Sequence, residues 1–193
     1  WDEGPDIGGD YGPYYQSQRL DLYDRVINRL LKLDKAYSCF CSPERLRDMR
    51  KDKSGLKPLS GYDRRCRDLT QNERLERERQ GDPYVVRFRM PLNGVTTVDD
   101  MIRGRVSFEN RLMDDFVMMK SDGFPTYHLA NVVDDHNMKI SHVMRAEEWL
   151  PSTPRHLQLY EALCLEPPQF AHLPMILATD RSKLSKREGA TSI

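Results

Sequence analysis

The chain has no excess charge of either sign: its 193 residues carry 30 Lys and Arg against 30 Asp and Glu. Overall charge therefore cannot hold a polyanion; only a local concentration of charge can. No apolar run comes near the ~18 residues of a membrane span, so no membrane association is expected. No signal-peptide pattern opens the chain. No Gly-x-Gly-x-x-Gly follows a predicted strand, which removes a conventional dinucleotide-binding oxidoreductase. Internal repeats and low-complexity tracts are also missing. Cysteine is scarce, with Cys39, Cys41, Cys66 and Cys164 alone. Cys39 and Cys41 are too close in sequence to pair readily, so reduced thiols in an intracellular enzyme are the simpler reading.

What is there is unevenly spread. Residues 42–90 carry 14 basic and 9 acidic side chains, whereas residues 91–150 carry 6 and 10. The positive segment, Arg45 to Arg89, is where a nucleic-acid backbone could be held, against a helical surface laced with salt bridges. Hydrophobic residues make up 38% and charged residues 31%, on the polar side of globular proteins. The chain opens on Trp1 and stops just past a cationic cluster, so we expect a piece of something longer.

Local patterns divide the chain. Leu20, Tyr23, Ile27, Leu30 and Leu31 fall at helical spacing after Ser17, which predicts a capped helix from about Gln18 to Leu33. Ser42-Pro43-Glu44 starts another, and Thr70-Gln71-Asn72-Glu73 matches a capping box. Alternation from Tyr84 to Met90 predicts a strand, with further short strands at 95–98, 105–108 and 116–120. This stretch reads as antiparallel and local. Beyond Gly123, a helix (Tyr127 to Met138), a strand (Ile140 to Arg145), a helix from Thr153 and a mixed apolar stretch from Phe170 restore strand–helix alternation. The simplest organisation is a parallel-sheet α/β domain interrupted by an inserted α+β module over residues 36–122.

One constellation suggests chemistry. Tyr127 and Asn131 are four residues apart on one helical face. Arg145 falls at the carboxyl end of the following strand, where open α/β sheets bind ligands. Its guanidinium fork suits a carboxylate, and Trp149 suits a flat base. Far downstream, Arg181-Ser182-Lys183-Leu184-Ser185-Lys186-Arg187-Glu188-Gly189 has four cations in its first seven residues. A cluster of this kind suits a polyphosphate whose charge grows during reaction.

Gly123-Phe-Pro-Thr-Tyr-His-Leu-Ala-Asn-Val-Val-Asp-Asp-His136, with Arg145-Ala-Glu-Glu-Trp149, is similar to the amino-acid-binding segment of glutamyl-tRNA synthetases. Ser182-Lys-Leu-Ser-Lys-Arg187 resembles the KMSKS loop of class I aminoacyl-tRNA synthetases, and the 2–5 and 12–19 segments also look like this family. The resemblance covers essentially the whole chain. It implies an incomplete Rossmann-like catalytic domain. Residues 1–35 would end its first half, 36–122 would be the connective module that binds the tRNA acceptor, and 123–193 would be its second half. Tyr127, Asn131 and Arg145 are then expected to contact glutamate. Glu148, Trp149 and Leu177 are expected near the ATP ribose and adenine. Lys183, Ser185 and Lys186 are expected at the phosphates, with Lys183 and Lys186 catalytic.

The implied reaction is ATP-dependent ligation of glutamate to tRNA(Glu) through a glutamyl-adenylate, with Mg2+ accompanying ATP. Alignment and charge stabilisation do the chemistry, so no side-chain nucleophile is needed. A monomer in the bacterial cytoplasm or the mitochondrial matrix is expected. Cys39, Cys41, Cys66 and Asp68 resemble a zinc knuckle of this family, with Asp68 where histidine is usual. The shortfall from a usual closed ligand set favours three ordinary thiols over zinc. The family's His-x-Gly-His signature and its first-strand arginine and glutamate are absent from these residues, so activity is expected of a parent protein only. The competing readings are a glutamyl-queuosine tRNA synthetase type and a catalytically dead RNA-binding paralogue.

Overall fold

In a computed structural model, which describes residues 2–51 and 61–175, the first apolar stripe forms helix α1 (Leu20–Lys32). Tyr23, Ile27 and Leu30, spaced four and three apart, are its buried face. Ser17 does not cap it. A 3-10 turn, Gln16–Gln18, precedes it and Arg19 occupies the N-cap without a side-chain cap bond. Then come β1 (Ala36–Cys39), α2 (Pro43–Lys51), α3 (Gln71–Arg79), β2 (Val85–Phe88), β3 (Val95–Asp100) and β4 (Gly104–Glu109). They are followed by β5 (Val117–Met119), α4 (Tyr127–Asn137), β6 (His142–Ala146), α5 (Thr153–Leu163) and β7 (Gln169–Leu173). The capping box of α3 is formed: Glu73 N–H donates to the Thr70 hydroxyl at 3.3 Å, and Thr70 N–H to the Glu73 carboxylate at 2.7 Å.

The strands make two sheets. β1, β2 and β5 form a three-stranded antiparallel sheet, and β4-β3-β7-β6 a four-stranded mixed one. In the second sheet β3 pairs antiparallel with β4, while β7 runs parallel to both β3 and β6. The 84–120 stretch is therefore less local than its pattern suggests. β2 pairs with β1, which carries no alternation because all four of its residues are buried. β3 reaches across 70 residues to β7, Asp100 facing Phe170 in register.

The main core joins α1, β2, β5, α4 and α5 through residues such as Leu30, Phe88, Met118, Leu129, Val132 and Leu159. Buried polar groups fix how these elements meet. Arg19, almost fully buried, donates from Nε to Asp134 at 2.7 Å and from a terminal nitrogen to the Pro13 carbonyl at 2.6 Å. The Tyr23 hydroxyl donates to the same carboxylate at 2.8 Å. The loop before α1 is thus tied to α4. A second, smaller core holds Tyr37, Cys39, Tyr62 and Cys66.

Candidate functional site

The α4 amino terminus is set by the strand beside it. Thr126 donates its N–H to Met118 O and its hydroxyl to Val117 O, both at 2.7 Å. That fixes where Tyr127 begins its helix. Leu129, Ala130, Val132 and Val133 are buried, and Tyr127 remains 44% exposed at one end.

Arg145, on β6, is Cα partner to His172 on β7. Its Nε–H donates to His172 Nε2 at 3.0 Å. One terminal nitrogen donates to the Thr153 hydroxyl at 2.9 Å, and the other donates to the Tyr127 hydroxyl at 2.9 Å. The Trp149 ring lies 5.0 Å from the Tyr127 ring, and the Trp149 carbonyl lies 3.4 Å from the Arg145 fork. Tyr127, Arg145 and Trp149, read together as one constellation in the sequence, meet at one place. Asn131 joins them indirectly. It hydrogen-bonds Asp135, whose carboxyl burial lifts to about 6 while the positive charge of Arg145 pulls it down. Glu148 is exposed beside Trp149, in the 3-10 segment Glu147–Ser152. Leu177, Lys183, Ser185 and Lys186 lie outside the described residues.

Behind the site is a polar layer that sequence reasoning missed. His172 and Thr153 are fully buried, and Asp100 nearly so. Burial alone would raise the Asp100 carboxyl. N–H groups of Arg103, His172 and Ile102 and the His172 ring outweigh it and hold the carboxyl at about 2. The one available signal was alternation in β3: Thr96, Val98 and Asp100 share its inward face. A carboxylate at such a position demands a partner. His128 and His156 pack beside Tyr127, their rings 3.1 Å apart through Nδ1 and Nε2. Burial pushes them down to about 4 and about 2, so both are neutral near pH 7.

In the smaller core, the sulfurs of Cys39, Cys41 and Cys66 lie within 4.8 Å of one another, with Cys41 and Cys66 at 3.6 Å. The Tyr62 hydroxyl stands 3.1 Å from the Cys39 sulfur and 3.6 Å from that of Cys41. Asp68 is not the fourth member. Its side chain is 90% exposed and faces Arg89 at 3.8 Å, because the turn after Cys66 points it to solvent. Thiolates bound to zinc at ~2.3 Å sit about 3.8 Å apart, so the three sulfurs fit that geometry with little movement. Hydrogen bonding from Cys66 holds the Cys39 thiol below the usual thiol range, and Cys66 is pushed up in turn. All four cysteines are free.

The basic segment is less available than its count suggests. Arg67 and Arg87 are buried, Arg67 donating to Asp115 at 2.8 Å and Arg87 to the Asp115 carbonyl at 2.7 Å. Arg74 and Arg89 lie over the Tyr37 ring. Arg47, Arg65 and Arg79 are among those left at the surface.

Comparison with known proteins gives the chain's relatives. The family model for class I tRNA synthetases (E and Q), catalytic domain, matches residues 3–193. A glutamate–tRNA ligase of Dehalococcoides mccartyi strain 195 is 62% identical over 192 residues, covering all of this chain and 38% of that protein. The Chlamydia muridarum glutamate–tRNA ligase is 56% identical over 193 residues, with the same coverage. The chain thus spans about 38% of the length of these curated relatives. Among solved structures, a glutamate–tRNA ligase of Elizabethkingia meningosepticum in complex with its amino acid superimposes with a TM-score of 0.89 at 45% identity. The match covers 97% of this chain and 39% of that one.

Proposed function

The chain belongs to the family of class I tRNA synthetase (E and Q) catalytic domains, and we propose that the protein carrying it joins glutamate to tRNA(Glu) at the expense of ATP. The observation that carries this reading is the Arg145 guanidinium, anchored at its back by His172 and Thr153 and meeting the Tyr127 hydroxyl at the mouth. A planar cation held this way is preorganised for a carboxylate. Tyr127 and Asn131 complete the glutamate site in this reading, and Trp149, Glu148 and Leu177 form the ATP ribose and adenine site. Lys183, Ser185 and Lys186 meet the phosphates, and Mg2+ arrives with ATP as part of the substrate.

The glutamate α-carboxylate attacks the α-phosphorus, pyrophosphate leaves, and the terminal ribose hydroxyl of the tRNA then takes the acyl group. The chain's own groups orient the carboxylates and exclude water; none needs to act as a nucleophile. Residues 36–122 serve as the acceptor module in this scheme, its surface arginines facing the tRNA backbone. The proposal extends to a monomer of the bacterial cytoplasm or mitochondrial matrix. No helix among the described residues is long and apolar enough to cross a membrane.

The test is pyrophosphate exchange and tRNA charging, with tRNA present, using the protein expressed at the length of its curated relatives. Exchange that requires glutamate, with esterification of the terminal ribose, supports the proposal. Glutamate activation without terminal charging turns it toward the queuosine-type reaction, and absence of both leaves an RNA-binding role. Zinc is a separate part of the reading: Cys39, Cys41 and Cys66, with Tyr62 rather than Asp68 as the fourth donor, would hold it. Metal analysis of the purified protein finding less than about half an equivalent would remove it.

A further inference from the structure

We infer that Asp100 and His172 form a positioning relay that sets the orientation of the Arg145 guanidinium for an amino-acid carboxylate. This deepens the reading above and rests on Arg145 binding glutamate.

The proton order follows from chemistry. Arginine only donates, so the 3.0 Å contact between Arg145 Nε and His172 Nε2 requires a lone pair on Nε2. The ring proton then sits on Nδ1, 2.5 Å from Asp100 Oδ2, and is donated to the carboxylate. A proton on Nε2 would set two N–H groups against each other. Asp100 is itself fixed. Its Oδ1 accepts from the backbone N–H of Ile102 at 3.0 Å and of Arg103 at 2.8 Å, and the His172 N–H approaches both oxygens at 3.1–3.2 Å.

The relay therefore runs from a turn at the end of β3, through the middle strand β7, to β6. Each link lies on a neighbouring strand, and the fully buried histidine excludes water between them. Among the described residues, the groups at the mouth hold Arg145 less firmly, since Tyr127 and Trp149 are 44% and 40% exposed. With Nε committed to His172 and one terminal nitrogen to Thr153, the guanidinium plane cannot rotate. Only the edge facing Tyr127 is offered to a ligand.

Asp100→Asn separates positioning from mere support. Asparagine keeps the oxygen that accepts the turn N–H groups, but presents an amide N–H to His172 Nδ1. The ring must then carry its proton on Nε2, against Arg145. In the protein expressed at the length of its relatives, the KM for glutamate should rise about 10- to 100-fold. The KM for ATP, and kcat at saturating glutamate, should stay within about threefold. His172→Phe, which keeps the ring but loses both of its hydrogen bonds, should give the same split, and it keeps the relay testable if Asp100→Asn does not fold.

Nitrogen NMR of labelled histidine supplies a readout independent of activity. The wild-type His172 proton is expected on Nδ1, moving to Nε2 in Asp100→Asn. A wild-type proton on Nε2, or a folded Asp100→Asn with an unchanged KM for glutamate, overturns the relay. Wild-type protein without glutamate-dependent exchange overturns the functional reading instead, while the NMR measurement still decides the relay.

Discussion

Two arginines with buried partners, Arg67 beside the smaller core and Arg145 at the candidate site, end in opposite situations. Arg67 is spent internally. Its guanidinium meets Asp115, which is wholly buried and also accepts from the Tyr37 hydroxyl at 2.8 Å and the Met90 N–H at 3.1 Å. Arg145 meets its carboxylate only through an imidazole, so the charge is held in place without being neutralised at contact distance. A directly paired guanidinium supports the fold; one spaced from its counter-charge keeps an edge for a ligand. Charge counting along the sequence treats the two alike.

The largest test of this contrast is Asp115→Ala. It leaves Arg67, the Tyr37 hydroxyl and the Met90 N–H without an acceptor, and should cost about 3–5 kcal/mol in urea unfolding. A loss under about 1 kcal/mol would mean that the fold does not depend on this hub. Next comes Arg145→Lys. A lysine cannot reach His172, Thr153 and Tyr127 at once, so kcat/KM for glutamate should fall about 30- to 100-fold. Its unfolding free energy should change far less than that of Asp115→Ala. Equal stability losses in the two variants would erase the distinction between them.

The site's two neighbouring carboxylates sharpen the comparison further, because they should respond to pH with opposite signs. Asp100 lies below its ordinary value, so its contribution is complete above about pH 4 and is lost as pH falls through about 2. Asp135 lies above its ordinary value, since burial opposes its charge. The stability from its protonation is complete below about pH 4 and is lost as pH rises through about 6. Asp135→Asn should therefore flatten the decline between pH 4 and 6 and gain about 1–2 kcal/mol at pH 7. An unaltered pH profile would show that the carboxyl titrates as if in water. The smallest effect belongs to an exposed feature: Thr70→Ala should cost α3 about 1 kcal/mol by removing its cap. A loss as large as that of Asp115→Ala would show that the surface cap carries as much of the fold as the buried hub.

Much of this was legible from the letters. The α1 stripe, the Thr70–Glu73 box and the helix at Tyr127 are written in short-range spacing, and the structure has them within a few residues. The meeting of Tyr127, Arg145 and Trp149 was also readable, because all three lie within one helix–strand–turn unit. What escaped depends on distant pairing. β1 shows no alternation because both of its faces are covered. The parallel contact of β3 with β7 joins residues some 70 apart, and no local pattern encodes it. Asp100 and His172 were passed over for that reason, each being ordinary until the other is beside it. Asp68 failed as a metal ligand for the converse reason: proximity in sequence to Cys66 says nothing about which way a turn directs a side chain.

The β3–β4 hairpin has a mechanical consequence. Its sequence lies within the stretch read as an insertion, yet β3 pairs with β7 at Asp100 and Phe170, and its terminal carboxylate touches the histidine behind Arg145. A segment mounted this way is a bracket rather than a hinged arm. Displacing the hairpin would displace the Asp100 carboxylate, and with it the His172 ring on which the guanidinium rests.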